Sequence, residues 1–289
     1  MSGAGNGASG AGLPFYKLTG SGNDFVFFDA RPGRPYADAT ARMRAPDAIE
    51  AVCDRRNGVG ADGVVFLESA DAVEVRIAYY NRDGSRAALC GNATLCTARL
   101  ATLLGAVAAD GSPFVVATDA GRIEARVRAG GDPVIDLGPV GGVVANVAEV
   151  PRRGGELAIG YATVGVPHLV VLVDSVDAVD DLEVRGAELR RPSAERPDGA
   201  NVNWVSPVGD RWRMRTFERG VEAETLACGT GAVACATLIQ AWTRATRPIV
   251  LVTSSGRSAE VTLSAGPDTG AALLAGEGRL VYSGRLGTR

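Results

Sequence analysis

Two short stretches of the 289-residue chain share a pattern in which cysteine and glycine precede a run of small residues. The first begins at Cys90-Gly91-Asn92, and the second begins at Cys228-Gly229-Thr230. A thiolate can act as a nucleophile or a base, and the free N–H groups of a helix N-terminus stabilise its charge. Because each cysteine directly precedes a predicted helix, we expect lowered thiol pKa values at Cys90 and Cys228.

The same two turns could hold an anion beside the thiols. Backbone N–H groups of Gly91 and Asn92, and of Gly229 and Thr230, would be free in the first helical turn, and glycine lets a ligand approach closely. A carboxylate held by both turns would place its neighbouring carbon between the two sulfur atoms. One thiolate could then remove a proton while the opposite thiol returns one. This chemistry is two-base racemisation or epimerisation, with both cysteines catalytic.

The other three cysteines, Cys53, Cys96 and Cys235, are expected to be inert packing, which is the usual role of a buried cysteine. Five cysteines is an odd count, and no export signal is evident, so we expect reduced thiols and a cytoplasmic protein. The cysteine spacings and the single histidine, His168, do not match a zinc site. No metal is therefore expected.

The only lysine in the chain is Lys17. A pyridoxal phosphate enzyme needs a lysine for its Schiff base. Lys17 stands just before the glycine-rich turn of Thr19-Gly20-Ser21-Gly22-Asn23-Asp24, which is an implausible place for that anchor. We therefore expect amino-acid chemistry without any cofactor.

The similarity between the two halves extends upstream of the cysteines. Val75–Gly84 precedes the first cysteine and matches Trp212–Gly220, which precedes the second. A weaker match relates Asp24–Asp29 to Leu169–Asp174. Matching stretches in the same order indicate an internal duplication, and a period this long indicates two similar domains rather than a solenoid.

The predicted elements are many short strands and two central helices. Helices are predicted at 93–104, with Asn92 as N-cap, and at 230–242, and both are apolar on most faces and therefore buried. The surrounding segments have the alternating or short apolar patterns of strands. The sequence thus predicts an α+β fold of two similar domains, each a curled, barrel-like β-sheet around one helix, with the active site in the cleft between them.

Composition suggests the limits of the two domains. Residues 1–12 are nearly all Gly, Ala, Ser and Asn, which predicts a disordered tail. We place the N-terminal domain at 13–134, completed by the last strand at 277–289, and the C-terminal domain at 135–276. The division lies near the start of a segment rich in glycine and proline, 138–155.

Net charge and hydropathy limit the kinds of partner that the protein is expected to bind. The net charge is −3, which argues against nucleic acid or an anionic membrane as a main partner. No apolar run approaches the length of a membrane span, and apolar residues make up 46% of the chain, as in ordinary globular proteins. A small molecule is the expected partner, and a homodimer is compatible with the sequence.

With these motifs the chain resembles the diaminopimelate epimerase family, from about Phe15 to Tyr282. The motifs that carry the resemblance are Gly20-Ser21-Gly22-Asn23-Asp24-Phe25, Gly58-Val59-Gly60-Ala61-Asp62-Gly63, Asn81-Arg82-Asp83-Gly84-Ser85, Cys90-Gly91-Asn92, Pro167-His168, Asn201-Val202-Asn203, Glu218-Arg219-Gly220 and Ala227-Cys228-Gly229-Thr230-Gly231. The resemblance implies a cofactor-independent epimerase that converts LL- to meso-diaminopimelate for lysine and peptidoglycan precursor synthesis.

The resemblance also implies roles for individual residues. Cys90 and Cys228 would be the acid/base pair, with Gly91, Asn92, Gly229 and Thr230 holding the α-carboxylate. Asn23, Asn81, Asn201, Glu218 and Arg219 would bind the rest of the substrate. The planar fork of Arg219 suits the distant carboxylate. His168 and Glu218 match positions that tune the thiol pKa values.

One departure from the family pattern keeps alternatives open. The family usually has asparagine before Pro-His, where this chain has Val166, and valine offers no side-chain hydrogen bond. A racemase of another amino acid is one alternative. An isomerase of the phenazine-biosynthesis type is a second, although those enzymes do not use paired cysteines. A non-catalytic amino-acid-binding protein is a third.

Overall fold

The computed structural model describes residues 12–193, 196–246, 248–264 and 270–287. The predicted disordered tail, 1–12, lies outside these residues apart from Gly12. The strands are β1 (Leu13–Gly20), β2 (Asn23–Asp29), β3 (Gly63–Ala70), β4 (Glu74–Asn81), β5 (Arg86–Ala87), β6 (Phe114–Thr118), β7 (Gly121–Val127), β8 (Pro133–Asp136), β9 (Gly141–Val144), β10 (Glu156–Val164), β11 (Val166–Val173), β12 (Asn201–Val208), β13 (Arg211–Glu218), β14 (Ala223–Thr225), β15 (Ile249–Val252), β16 (Ser258–Leu263), β17 (Ala272–Ala275) and β18 (Arg279–Leu286). The α-helices are α1 (Ala37–Arg42), α2 (Pro46–Cys53), α3 (Gly91–Leu103), α4 (Leu182–Leu189) and α5 (Gly229–Thr243), and a 3-10 turn spans Val176–Ala178.

The two halves repeat one order of strand pairing. In the first half, β1 is antiparallel to β2, β2 parallel to β3, β3 antiparallel to β4 and β4 parallel to β6. In the second half, β10, β11, β12, β13 and β15 pair in the same order with the same directions. Each half then adds two antiparallel strands, β7 and β8 or β16 and β17. The prediction of an α+β fold with two similar halves is confirmed.

The halves are joined by shared ladders. β8 pairs with β7 on one side and with β17 on the other, so the sheet is continuous from one half to the next. β9 pairs with β10, and β18 pairs with β1, which returns the end of the chain to the first half. The predicted domain limits, 13–134 with 277–289 and 135–276, stay a prediction, because β8 crosses the proposed division.

Each sheet curls around one central helix and carries a second helix outside. Leu95 and Cys96 of α3, and Ala234 and Leu238 of α5, are fully buried within one shared apolar core. Outside the first sheet, Ile49 and Val52 of α2 pack with the aromatic side chains of β2 and β3. Outside the second, Leu182 and Leu189 of α4 pack with Trp204 and Phe217. The sheets therefore bury both of their faces.

The central helices begin slightly earlier than the sequence predicts, α3 by two residues and α5 by one. The prediction that Asn92 caps the first helix is wrong: Cys90 is the N-cap, with extended backbone angles (φ −139°, ψ 115°). Its carbonyl oxygen already accepts from the Thr94 N–H (2.9 Å), which starts the helical hydrogen bonds. Cys228 caps α5 with almost the same angles (φ −131°, ψ 114°). Each cysteine therefore lies at the helix boundary itself.

Close packing of α3 against β1 predicts a measurable cost for one added methyl group. A methyl at Gly20 would lie 2.9 Å from the backbone oxygen of Asn92 and 2.9 Å from the Cys96 sulfur. We expect Gly20→Ala to destabilise the protein by about 1–3 kcal/mol, as overpacking usually does. Gly130→Ala, where a methyl would meet nothing within 4 Å, is the matched control. Urea unfolding of the three proteins measures the difference, and equal midpoints would contradict the packing described.

Candidate active site

The two central helices point their N-termini at each other. A methyl group added at Gly91, the first residue of α3, would lie 3.8 Å from the Cα of Gly229, the first residue of α5. The positive ends of two helix dipoles therefore converge on one place. Because Cys90 and Cys228 cap these helices, the fold brings one thiol from each half to this junction.

Cys228 lies in a chain of hydrogen bonds. The Gly231 N–H donates to its sulfur (3.3 Å), and the Thr230 hydroxyl lies 3.4 Å from the same sulfur. Thr230 Oγ1 in turn lies 3.1 Å from Nε2 of His168, which is fully buried. The structure thus places the predicted residues His168 and Thr230 next to Cys228.

Cys90 has a different neighbour, which the sequence did not point to. Tyr79 lies beside Cys90, and its hydroxyl together with the backbone N–H groups of Asn92 and Ala93 acts to lower the pKa of this thiol. The Tyr79 ring packs edge-on against Phe25, with centroids 6.0 Å apart. Strand periodicity could have found Tyr79, because residues two apart share a strand face and Asn81 was already a candidate.

The expectation of low thiol pKa values is wrong for both cysteines. Burial raises the pKa of Cys90 to about 11 and that of Cys228 to about 12. The N–H and hydroxyl donors lower both values, but they do not outweigh the loss of hydration. The nearby negative charge of Glu218 raises both further. Both groups are therefore neutral thiols near pH 7.

Asn23 links the first half's glycine-rich turn to α3. The Asn92 side-chain amide donates to Asn23 Oδ1 (2.7 Å), and Asn23 Nδ2 donates to Asp62 Oδ2 (3.1 Å). Asp62 also accepts from Arg55 (2.6 Å). The structure thus joins two predicted binding residues, Asn23 and Asn92, and the ion pair between Asp62 and Arg55 supports Asn23.

The second half brings three more predicted residues to the carboxyl end of β13. Asn201 Oδ1 accepts from the backbone N–H of Arg219 (2.8 Å), and Arg219 Nη1 donates to the Asp198 carbonyl (3.1 Å). Burial raises the pKa of Glu218. Asn81 lies at the matching end of β4, where its amide donates to Ser85 Oγ (3.0 Å). The side-chain hydrogen-bond partner of Asn81, Ser85, thus lies in the turn that follows β4.

The side chain of Lys17 makes structural contacts within the fold. Lys17 is buried, donates to the Gly60 carbonyl and pairs with Asp24 (2.8 Å). Within the described ranges, no group of three His, Cys, Asp or Glu side chains is arranged to hold a metal ion. No helix in the same ranges is long and apolar enough to cross a membrane.

Comparison with known proteins identifies the family. A model of the diaminopimelate epimerase family matches residues 15–143 and 160–274. A diaminopimelate epimerase from Gemmatimonas aurantiaca is 46% identical over 95% of this chain and 99% of that protein. The chain belongs to the diaminopimelate epimerase family. A second member, from Aquifex aeolicus, is 37% identical over 95% of this chain and 98% of its own.

Solved structures share the fold at low sequence identity. A phenazine biosynthesis protein of the PhzF family from Bacillus anthracis superposes with a TM-score of 0.69 at 15% identity, covering 95% of this chain and 98% of its own. A probable proline racemase from Agrobacterium radiobacter gives 0.65 at 16% identity, covering 96% and 93%. These similarities support the two-half architecture and do not bear on the substrate of the epimerase-family chain.

The raised thiol pKa values predict how the cysteines react without substrate. Thiolate is the reactive form, so the alkylation rate of Cys90 and Cys228 should rise about tenfold per pH unit from pH 7 to pH 10. Iodoacetamide labelling followed by peptide mass spectrometry resolves each cysteine, with the buried Cys53 as internal reference. A plateau below pH 8 at either active-site cysteine would show a low pKa and contradict the burial effect.

Proposed function

We propose that the protein inverts one α-carbon of LL-diaminopimelate to give meso-diaminopimelate, with Cys90 and Cys228 as the two bases and no cofactor. Membership of the diaminopimelate epimerase family supports the reaction. One observation carries the mechanism: two cysteine-capped helix N-termini, one from each half, meet at Gly91 and Gly229. A single reacting carbon held at this junction has one thiol on each side.

The proposed step transfers two protons in opposite directions. One thiolate takes the α-proton, and the electron pair of the broken C–H bond moves into the substrate carboxylate. The opposite thiol gives its proton to the other face of the carbon and becomes a thiolate. The substrate gains and loses one proton, so its composition is unchanged while its configuration is inverted. The N–H groups of the two first turns stabilise the charge that develops on the carboxylate.

Substrate binding would lower the pKa of one thiol. The α-ammonium group of an amino acid brings a positive charge beside the two sulfur atoms, and an opposite charge lowers a thiol pKa. Gly91, Asn92, Gly229 and Thr230 lie in the first turns of α3 and α5, where they can hold the α-carboxylate. The first thiolate is then formed in the complex, while the second group remains a protonated acid.

The far end of the substrate is proposed to bind at the ends of β4, β12 and β13. Arg219 offers a planar fork to the distant carboxylate, and Asn201 fixes the backbone at Arg219. Val166 begins β11 and is partly buried, so it can contact the substrate chain but cannot donate a hydrogen bond. Racemisation of another amino acid on this scaffold is the alternative, and family membership favours diaminopimelate.

The proposed chemistry also indicates a cellular setting. Both thiols must be reduced for the reaction, which fits a reducing cytoplasm, and all five cysteines are free in the structure. The homodimer stays a prediction.

Removal of either thiol should abolish turnover. We expect Cys90→Ala and Cys228→Ala each to lower kcat/KM for LL-diaminopimelate by about 10²–10⁴-fold, the usual contribution of a positioned acid or base. Chiral chromatography of the meso product measures the rate. Cys53→Ala, at the end of α2 in the outer core, is the control that should keep its activity.

The same assay separates the competing functions. A panel of amino acids with a single stereocentre tests the racemase, and wild-type turnover of one of them without turnover of diaminopimelate would overturn the proposed substrate. Wild-type protein that turns over nothing would support a binding protein instead.

A further inference from the structure

Asn203 lies behind the Cys228 site and has a fixed orientation. It is fully buried on β12 and makes three hydrogen bonds. The carbonyl oxygen of Leu169 can only accept, so the Asn203 atom 3.1 Å from it must be the NH₂ group. The Asn203 oxygen then faces the Thr216 hydroxyl, which donates to it (2.9 Å). Both ends of the amide are therefore assigned by their partners.

The orientation of Asn203 decides where the proton sits on His168. The second hydrogen of the Asn203 NH₂ group points to His168 Nδ1 (3.2 Å), so Nδ1 must accept. In a neutral imidazole the other nitrogen then carries the proton. Burial and the positive charge of Arg219 lower the pKa of His168 to about 3, which keeps the ring neutral. His168 is thus the Nε2–H tautomer.

That tautomer in turn directs the Thr230 hydroxyl. The His168 Nε2–H donates to Thr230 Oγ1 (3.1 Å), so the hydroxyl oxygen is occupied as an acceptor. Its single hydrogen is left to point at the Cys228 sulfur 3.4 Å away. Donation to sulfur favours the thiolate over the thiol. The donor and acceptor roles of these four hydrogen-bonded side chains are therefore fixed one after another, from Thr216 on β13 to the Cys228 sulfur.

We propose that Asn203 is a positioning residue that holds His168 as the Nε2–H tautomer, so that Thr230 donates its hydroxyl hydrogen to the Cys228 sulfur. The catalytic consequence rests on the function proposed above. Gly231 makes room for this arrangement, because a methyl group there would lie 2.5 Å from Asn203 Oδ1.

The first half lacks this series of hydrogen bonds, so the series is specific to Cys228. The strand registers place Val65 at the position matching Asn203, Phe25 at that of His168 and Tyr79 at that of Thr216. Neither Val65 nor Phe25 has a polar side chain, and Tyr79 acts on the pKa of Cys90 directly. A change at Asn203 should therefore act on one thiol and leave the other unchanged.

NMR of the histidine ring tests the proposal without substrate. His168 is the only histidine, so labelling with ring-¹⁵N histidine gives the signals of this residue alone. We expect the proton on Nε2 in the wild-type protein at pH 7–8. In Asn203→Asp the carboxylate accepts from Nδ1, so the proton should move there. A wild-type ring protonated on Nδ1, or an unchanged tautomer in Asn203→Asp, would overturn the proposal.

Alkylation of Cys228 tests the consequence for the thiol. Loss of one hydrogen bond to a charged group raises a pKa by about one unit, so the Cys228 rate at pH 8 should fall about tenfold in Asn203→Asp and in Thr230→Val. Thr230→Ser keeps the hydroxyl and should retain the wild-type rate, while Cys90 serves as internal control in every sample. Equal changes at both cysteines, or none at Cys228, would contradict the proposal.

These measurements separate the proposal from the proposed reaction. Neither one uses diaminopimelate, so a failure of the epimerase assay leaves the tautomer and the alkylation rates interpretable. If Asn203→Asp does not fold, the wild-type spectrum and the Thr230 pair still decide the outcome.

Discussion

The convergence of two helix N-termini is the constraint on which the rest of the structure depends. Each end carries roughly half a positive charge, so two of them facing each other repel in the absence of an anion. The fold enforces the arrangement by burying α3 and α5 in curled sheets that share a ladder between β8 and β17. Apolar burial along the helices therefore offsets an unfavourable contact at their ends. A substrate carboxylate bound there relieves the repulsion, which links the fold to the selection of an anionic ligand.

The two thiols are related by duplication but are supported differently. Tyr79 acts on the pKa of Cys90 directly, whereas Cys228 is contacted by Thr230, which is in turn hydrogen-bonded to His168. The two faces of the reacting carbon are not equivalent, because it is a stereocentre, so identical environments are not required. Burial keeps both thiols protonated near pH 7, and the charge of Glu218 raises both pKa values further. The site thus combines an anion-binding centre with thiols that are inactive at rest.

The two-half architecture could be predicted from the sequence because the duplicated motifs are visible in it. Cys90 and Cys228, with the glycines that follow them, mark the helix starts, although the cap of α3 is Cys90 and not the predicted Asn92. The sequence alone did not indicate that burial would outweigh helix dipoles at the thiols, because pKa values depend on surroundings built from distant segments. Tyr79 and Thr216 were missed for the same reason, because each looks like an ordinary strand residue until the strand registers place it. Asn203 belongs to the Asn201-Val202-Asn203 motif, but the sequence did not indicate a role for it.

The measurement that tests the central claim most directly is solvent isotope incorporation during the first turnovers in D₂O. If two separate thiols act on opposite faces, the product receives its new proton from a group that has equilibrated with solvent. Newly formed meso-diaminopimelate should then carry deuterium at the inverted carbon, while unreacted LL-diaminopimelate carries almost none, as followed by NMR and mass spectrometry. Product that retains the original proton at that carbon would show that a single group removes and returns it, and this result would contradict the account.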